Sequence, residues 1–130
     1  MSNVAIITDS TSTIPEEYLA KYAIHVAPQV LIWDGVTYRD GIDICPEEFY
    51  ARLKSSKTLP TTSQATPKTF EAMFKRQLDE GNDILAILIS EKLSGTIASA
   101  VLARETFPGA HIEIVDSRSA AMAMGFQVLA

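Results

Sequence analysis

Two hydroxyl-rich segments hold the residues best suited to grip a ligand: Pro60-Thr61-Thr62-Ser63-Gln64 and Leu93-Ser94-Gly95-Thr96. The second follows the apolar run Ile84–Ile89, which reads as a strand, and opens a helical stretch from Gly95 to Thr106. A helix N-terminus leaves backbone N–H groups unpaired and carries partial positive charge. Gly95 allows a ligand close to the backbone, and Ser94 and Thr96 add hydroxyl donors. Such a junction suits a carboxylate or a phosphate. Simple capping of the helix by Ser94 accounts for the same residues. The first segment sets four hydrogen-bonding side chains in a row after a proline, a pattern that fits a ligand loop and a polar surface loop alike. Asp9-Ser10 and Asp116-Ser117 also follow apolar runs directly, and Asp9 is placed to orient Ser10 or a neighbouring loop N–H.

Other chemistries have little support. There is no phosphate-loop lysine motif, no G-x-G-x-x-G, no G-x-S-x-G and no H-E-x-x-H. No general base stands in either hydroxyl segment. The single cysteine, Cys45, permits no intrachain disulfide, and His25 and His111 lack metal-ligand spacing. The net charge is −5 and the basic residues are scattered, which argues against nucleic acid as a partner. The longest aliphatic run, Ile84–Ile89, falls far short of the roughly 20 residues of a membrane span. With no signal-peptide pattern, these features predict a cytoplasmic protein without stable membrane insertion.

The elements that position these groups follow from pattern. Val4–Ile7, Ile24–Ala27, Ile84–Ile89 and Ile112–Val115 read as strands alternating with helices. Val30–Trp33 and Val36–Tyr38 flank Asp34-Gly35, a strong hairpin signal. The hairpin is expected as an antiparallel addition to the parallel sheet. Thr13 with Glu16 reads as a capping box, Pro46 opens a second helix, and Thr66-Pro67 a third that Gly81 closes. A final helix runs from Ser119. The alternation predicts an α/β fold, a three-layer α/β/α arrangement with a mainly parallel sheet plus a β-hairpin. Ligands then bind beyond the carboxyl ends of the strands, the edge shared by Asp9, Ser90, Ser94 and Asp116. The chain stops inside an apolar helical stretch, which reads as a fragment of a longer protein or a helix buried in an oligomer.

In sequence order, Thr8-Asp9-Ser10-Thr11-Ser12, Tyr38-x-Asp40-Gly41-x-Asp43, Phe49-Tyr50, Pro60–Gln64, Leu93–Thr96 and Asp116-Ser117 resemble the DegV family of fatty-acid-binding proteins. The resemblance implies that residues 1–130 are the N-terminal, head-group-binding domain of a two-domain protein whose second domain is absent here. It implies a long-chain fatty acid as ligand, no cofactor and no metal. The carboxylate would be held by Thr61, Thr62, Ser63, Ser94 and Gly95, with Thr8, Asp9, Ser10, Thr96, Asp116 and Ser117 in support. It further implies a non-catalytic protein that presents the acid to a fatty acid kinase for phospholipid synthesis. Two alternatives stand beside it: an enzyme acting on a small phosphorylated or carboxylated metabolite, and an interaction domain without ligand.

Overall fold

The computed structural model describes residues 3–130. Its strands are β1 (Val4–Asp9), β2 (His25–Ala27), β3 (Val30–Trp33), β4 (Val36–Arg39), β5 (Thr61–Ser63), β6 (Asp83–Leu88) and β7 (Ile112–Asp116). Its helices are α1 (Glu16–Lys21), α2 (Pro46–Ser55), α3 (Pro67–Asp79), α4 (Thr96–Arg104) and α5 (Ala121–Leu129), with a 3-10 turn at Ser10–Ser12.

A four-stranded parallel sheet, ordered β2-β1-β6-β7, forms the centre. Parallel strands need cover on both faces. On one face Ile7, Ala86 and Leu88 pack with Phe70 and Phe74 of α3 and Ala100 and Ala103 of α4. On the other, Ile6 and Ile87 meet Ile14, Leu19 and Val128, from α1, α5 and the segment before α1. The expected three layers are therefore present.

The hairpin forms at Asp34-Gly35, where φ is 51° and 78°, both left-handed as the tight turn requires. It does not extend the parallel sheet. It pairs instead with β5 to make a separate antiparallel sheet, ordered β4-β3-β5. The Thr61–Ser63 segment, expected as a loop, is thus an edge strand. A polar triplet gives no apolar alternation to announce a strand, and its pairing with β3 is a tertiary choice. This small sheet has its own core of Leu31, Trp33, Ile44, Phe49 and Leu53. The Arg52 guanidinium lies 4.3 Å from the Trp33 ring centroid and donates to Tyr38 Oη at 3.0 Å, so Trp33 and Tyr38 serve packing.

The Thr13–Glu16 capping box is absent. Thr13 takes a left-handed conformation, φ 52°, ending the 3-10 turn, and Pro15 is the N-cap of α1. The residue before a proline is driven out of the helical region, which keeps Ile14 out of the helix and delays its start. At α3 the expected cap is present: Thr66 Oγ1 accepts from the Thr69 N–H at 3.2 Å, with Pro67 in the first turn.

One helix contact is unusually close. A Cβ placed on Gly125 of α5 would stand 2.7 Å from the carbonyl oxygen of Ser12. Backbone cannot yield as a flexible side chain does. Gly125→Ala is therefore expected to lower unfolding stability by about 2 kcal/mol through overpacking, read as a reduced urea midpoint at unchanged slope.

Candidate functional site: two polar segments joined at the carboxyl edge of the sheet

β1, β6 and β7 all end at one edge, and their exit loops are cross-tied. Asp9 is fully buried. Its Oδ1 accepts from the Thr11 N–H at 2.9 Å and from the Thr11 hydroxyl, and its Oδ2 accepts from the Ile89 N–H at 2.8 Å. A buried carboxylate needs such donors once water is removed. Asp9 therefore fixes the 3-10 turn and the end of β6 in one stroke. Asp116 Oδ1 accepts from the Arg118 N–H at 2.8 Å and Oδ2 from the Glu91 N–H at 3.5 Å. Ser117 is buried, its hydroxyl accepting from the Ser119 N–H at 3.2 Å. These residues shape the loops from beneath.

The two hydroxyl segments meet through a residue that belongs to no motif. Gln29 is buried between β2 and β3. Its Oε1 accepts from the Ala65 N–H at 3.1 Å, just past β5. Its Nε2 donates to Thr96 Oγ1 at 3.0 Å, at the start of α4. Its own backbone N–H donates to Ser10 Oγ at 3.0 Å. The side chain thus joins the β5 exit and the α4 N-terminus, and the backbone of the same residue ties in the first turn. The available signal was a lone amide inside the apolar stretch Val26-Ala27-Pro28-Gln29-Val30-Leu31.

Gly95 is the N-cap of α4, with Ser94 one residue before it. The Ser94 hydroxyl accepts from the Thr96 N–H at 3.2 Å and lies 2.8 Å from Thr96 Oγ1. Ser94 is half-buried, whereas Thr96 is fully buried. A Cβ on Gly95 would stand 3.0 Å from Gln64 Nε2. The Gln64 side chain thus lies against the bare backbone of the α4 start, a second link between the segments.

Strand geometry sorts the hydroxyls of β5. Thr62 pairs with Leu31, whereas Thr61 pairs with Ile32 and Ser63 with Val30. Cross-strand partners share a face, and successive residues alternate. Thr62 therefore lies on the face of Leu31. Thr61 and Ser63 lie on the opposite face. All three are exposed. Of the supporting residues, Ser10, Asp9, Thr96, Asp116 and Ser117 have protein partners. The Thr8 hydroxyl is fully buried with no hydrogen-bond partner among the described residues. It lies on the β1 face opposite Asp9.

Neutral hydroxyls and the α4 N-terminus are the groups of the two segments themselves that can meet an anion. Farther away, the Arg39 guanidinium donates to Asp43 at 3.0 and 2.9 Å and holds that carboxyl below its ordinary range. Among the described residues no group of three or more His, Cys, Asp or Glu side chains is placed to hold a metal. No described helix is long and apolar enough to cross a membrane. A cleft of about 590 Å³ lies beside β2 and α3, lined by His25, Val26, Met73 and Arg76 among others, and includes neither hydroxyl segment.

A parallel α/β sheet with helices on both faces and a satellite antiparallel sheet define a two-sheet α/β domain. The chain belongs to the DegV family, described as uncharacterised, which it matches over residues 3–130. A DegV domain-containing protein of Caldanaerobacter subterraneus is 43% identical over 129 residues, 99% of this chain and 46% of that protein. Among solved structures, a DegV family protein from Thermus thermophilus described by its fatty acid binding is 35% identical with a TM-score of 0.87. The match covers 98% of this chain and 45% of that one. DegV from Bacillus subtilis, described as a fatty acid binding protein, is 32% identical with a TM-score of 0.89, over 99% and 46% of the two chains. A stearic acid-binding protein from Eubacterium ventriosum is 28% identical with a TM-score of 0.89, over 98% and 45%. The chain spans about half the length of the curated relatives it matches.

Removing the buried carboxylate of Asp9 leaves the Ile89 N–H without its partner. Asp9→Ala is expected to cost about 3 kcal/mol of stability, given the worth of a hydrogen bond to a charged group and the penalty of an orphaned donor. Chemical denaturation checks the total, and faster exchange of the Ile89 amide checks the cause.

Proposed function

We propose that this chain is the head-group half of a two-domain fatty-acid-binding protein. It holds the carboxylate of a long-chain acid between Ser94, the Gly95 backbone and Thr62. The observation that carries the reading is the Gln29 amide, which holds the β5 exit and the α4 N-terminus together. Fatty acid binding by the similar proteins from Thermus thermophilus and Bacillus subtilis supports it. The share of its relatives that the chain spans supports the two-domain reading, in which a second domain supplies the other wall.

Binding energy divides between tail and head. Each buried CH₂ contributes about 0.8 kcal/mol, so a long acyl chain supplies on the order of 10 kcal/mol before ordering costs. The head group contributes position. A carboxylate leaving water needs donors, and hydroxyls with helix N–H groups provide them without a fixed lysine. The carboxylate then keeps its nucleophilicity. We further infer that the protein is not itself the catalyst. It presents the acid to an ATP-dependent fatty acid kinase, whose acyl phosphate product feeds phospholipid synthesis. The full burial of Asp9, whose carboxylate accepts from Thr11 and Ile89, supports this, because it keeps that group away from a substrate it would have to deprotonate.

The test is mass spectrometry under native conditions on the complete natural polypeptide. A bound acyl chain, co-purified or added, is expected, and a folded protein that takes none overturns the reading. Ser94→Ala is expected to weaken the acid about tenfold or more, the worth of one hydrogen bond to a charged group, while leaving binding of a matched hydrocarbon unchanged. Incubated alone with ATP and fatty acid, the protein is expected to yield no acyl phosphate. Addition of the kinase is expected to yield it.

A further inference from the structure

We infer that Gln29 is a positioning residue that orders the protons of the clamp, leaving the Ser94 hydroxyl as a donor and selecting head groups that accept. The inference rests on the fatty-acid reading above.

The ordering begins at Ala65. A backbone N–H only donates, so the Gln29 amide must turn its oxygen toward Ala65, where the distance is 3.1 Å. That fixes Nε2 toward Thr96, at 3.0 Å. The Thr96 hydroxyl oxygen is therefore an acceptor, and its single proton goes elsewhere. Two oxygens are in reach: Ser94 Oγ at 2.8 Å and Gln29 Oε1 at 3.5 Å. Either hydroxyl can donate across the 2.8 Å contact, but a Thr96 proton placed there avoids the long, weak contact to Oε1, and the Ser94 proton is left for a ligand. Ser94 Oγ already accepts from the Thr96 N–H at 3.2 Å. With the Thr96 proton as well, both its lone pairs are filled. Its own proton is the one group left to face outward.

The chain of bonds runs from Gln29 Nε2 through the Thr96 hydroxyl to the Ser94 hydroxyl and on to the ligand, every donor pointing the same way. Gln29 and Thr96 are both buried, so water does not compete to scramble the order. A head group that only accepts, an ionised carboxylate, completes the chain. One that needs to donate finds no free lone pair on Ser94.

Gln29→Glu reverses the order. A carboxylate at this place still accepts from Ala65, but it also accepts from Thr96. The Thr96 proton then turns toward the new carboxylate, and the Ser94 proton turns inward to Thr96. Binding of a long-chain fatty acid and of the fatty alcohol of equal length is measured on the complete natural polypeptide in four backgrounds: unmodified, Gln29→Glu, Ser94→Ala, and both changes together. The unmodified protein is expected to prefer the acid. Gln29→Glu is expected to cut the acid-to-alcohol preference about tenfold or more, the scale of one charge-assisted hydrogen bond. In the Ser94→Ala background the same change is expected to move the preference by less than about threefold, because the chain of bonds no longer ends on a hydroxyl.

An equal loss of preference in both backgrounds overturns the inference, since it marks plain repulsion by the new charge. An unchanged preference in Gln29→Glu overturns it too. Should Gln29→Glu not fold, Gln29→Met carries the same comparison without a charge, with a smaller loss expected and again only where Ser94 is present. An unmodified protein that binds neither ligand sinks the fatty-acid reading itself. Binding that persists with no role for Gln29 sinks the proton ordering alone.

Discussion

The constraint on which the rest of the structure depends is a negative charge with no access to water. Asp9 stands at the carboxyl end of β1, fully buried, and has to collect its hydrogen bonds from protein. It finds them on the turn that follows its own strand and on the first residue after β6. The loops at this sheet edge are thereby set relative to one another. Asp116 ties the β6 and β7 exits in the same way. With the exits fixed, α4 must begin where it does. The small antiparallel sheet is then brought up by the Gln29 amide. The two hydroxyl segments thus stand on buried polar bonds in the layers beneath them.

That division explains why the polar residues of this chain have such different surroundings. Asp9, Thr96 and Ser117 are buried, and their side chains are bonded to Thr11 and Ile89, to Gln29 and Ser94, and to Ser119 respectively. Ser94 is half-buried, and Thr61, Thr62 and Ser63 are exposed. Residues that hold geometry are inside, and the residues proposed to meet a ligand are left at the mouth. The partnerless Thr8 hydroxyl belongs to neither group, and nothing in the surrounding structure accounts for it.

Much of this was legible in the sequence wherever local physics decides. The Asp34-Gly35 turn, the Thr66 cap with Pro67, the buried run of β6 and the shared edge of Asp9, Ser94 and Asp116 all follow from short-range pattern. What escaped was tertiary. A strand made of Thr61, Thr62 and Ser63 has no hydrophobic alternation and exists because β3 pairs with it. Which hydroxyl shares a face with Leu31 is a matter of register, invisible before the pairing is known. Gln29 itself has partners 36 and 67 residues away, beyond the reach of any local pattern. The Thr13 capping box fails for a local reason, the proline two residues later, whose ring outweighs the reciprocal cap.

The central pairing has a consequence for biosynthesis. β1 lies beside β6 with Val4 opposite Asp83, and the Asp9–Ile89 bond spans 80 residues. Parallel pairing across so long a separation cannot be rewarded until the loop between has been closed. A chain emerging from the ribosome therefore carries its first strand with one edge open, and the Asp9 carboxylate hydrated, until β6 arrives. The carboxyl edge of this sheet takes shape only once β6 has been made.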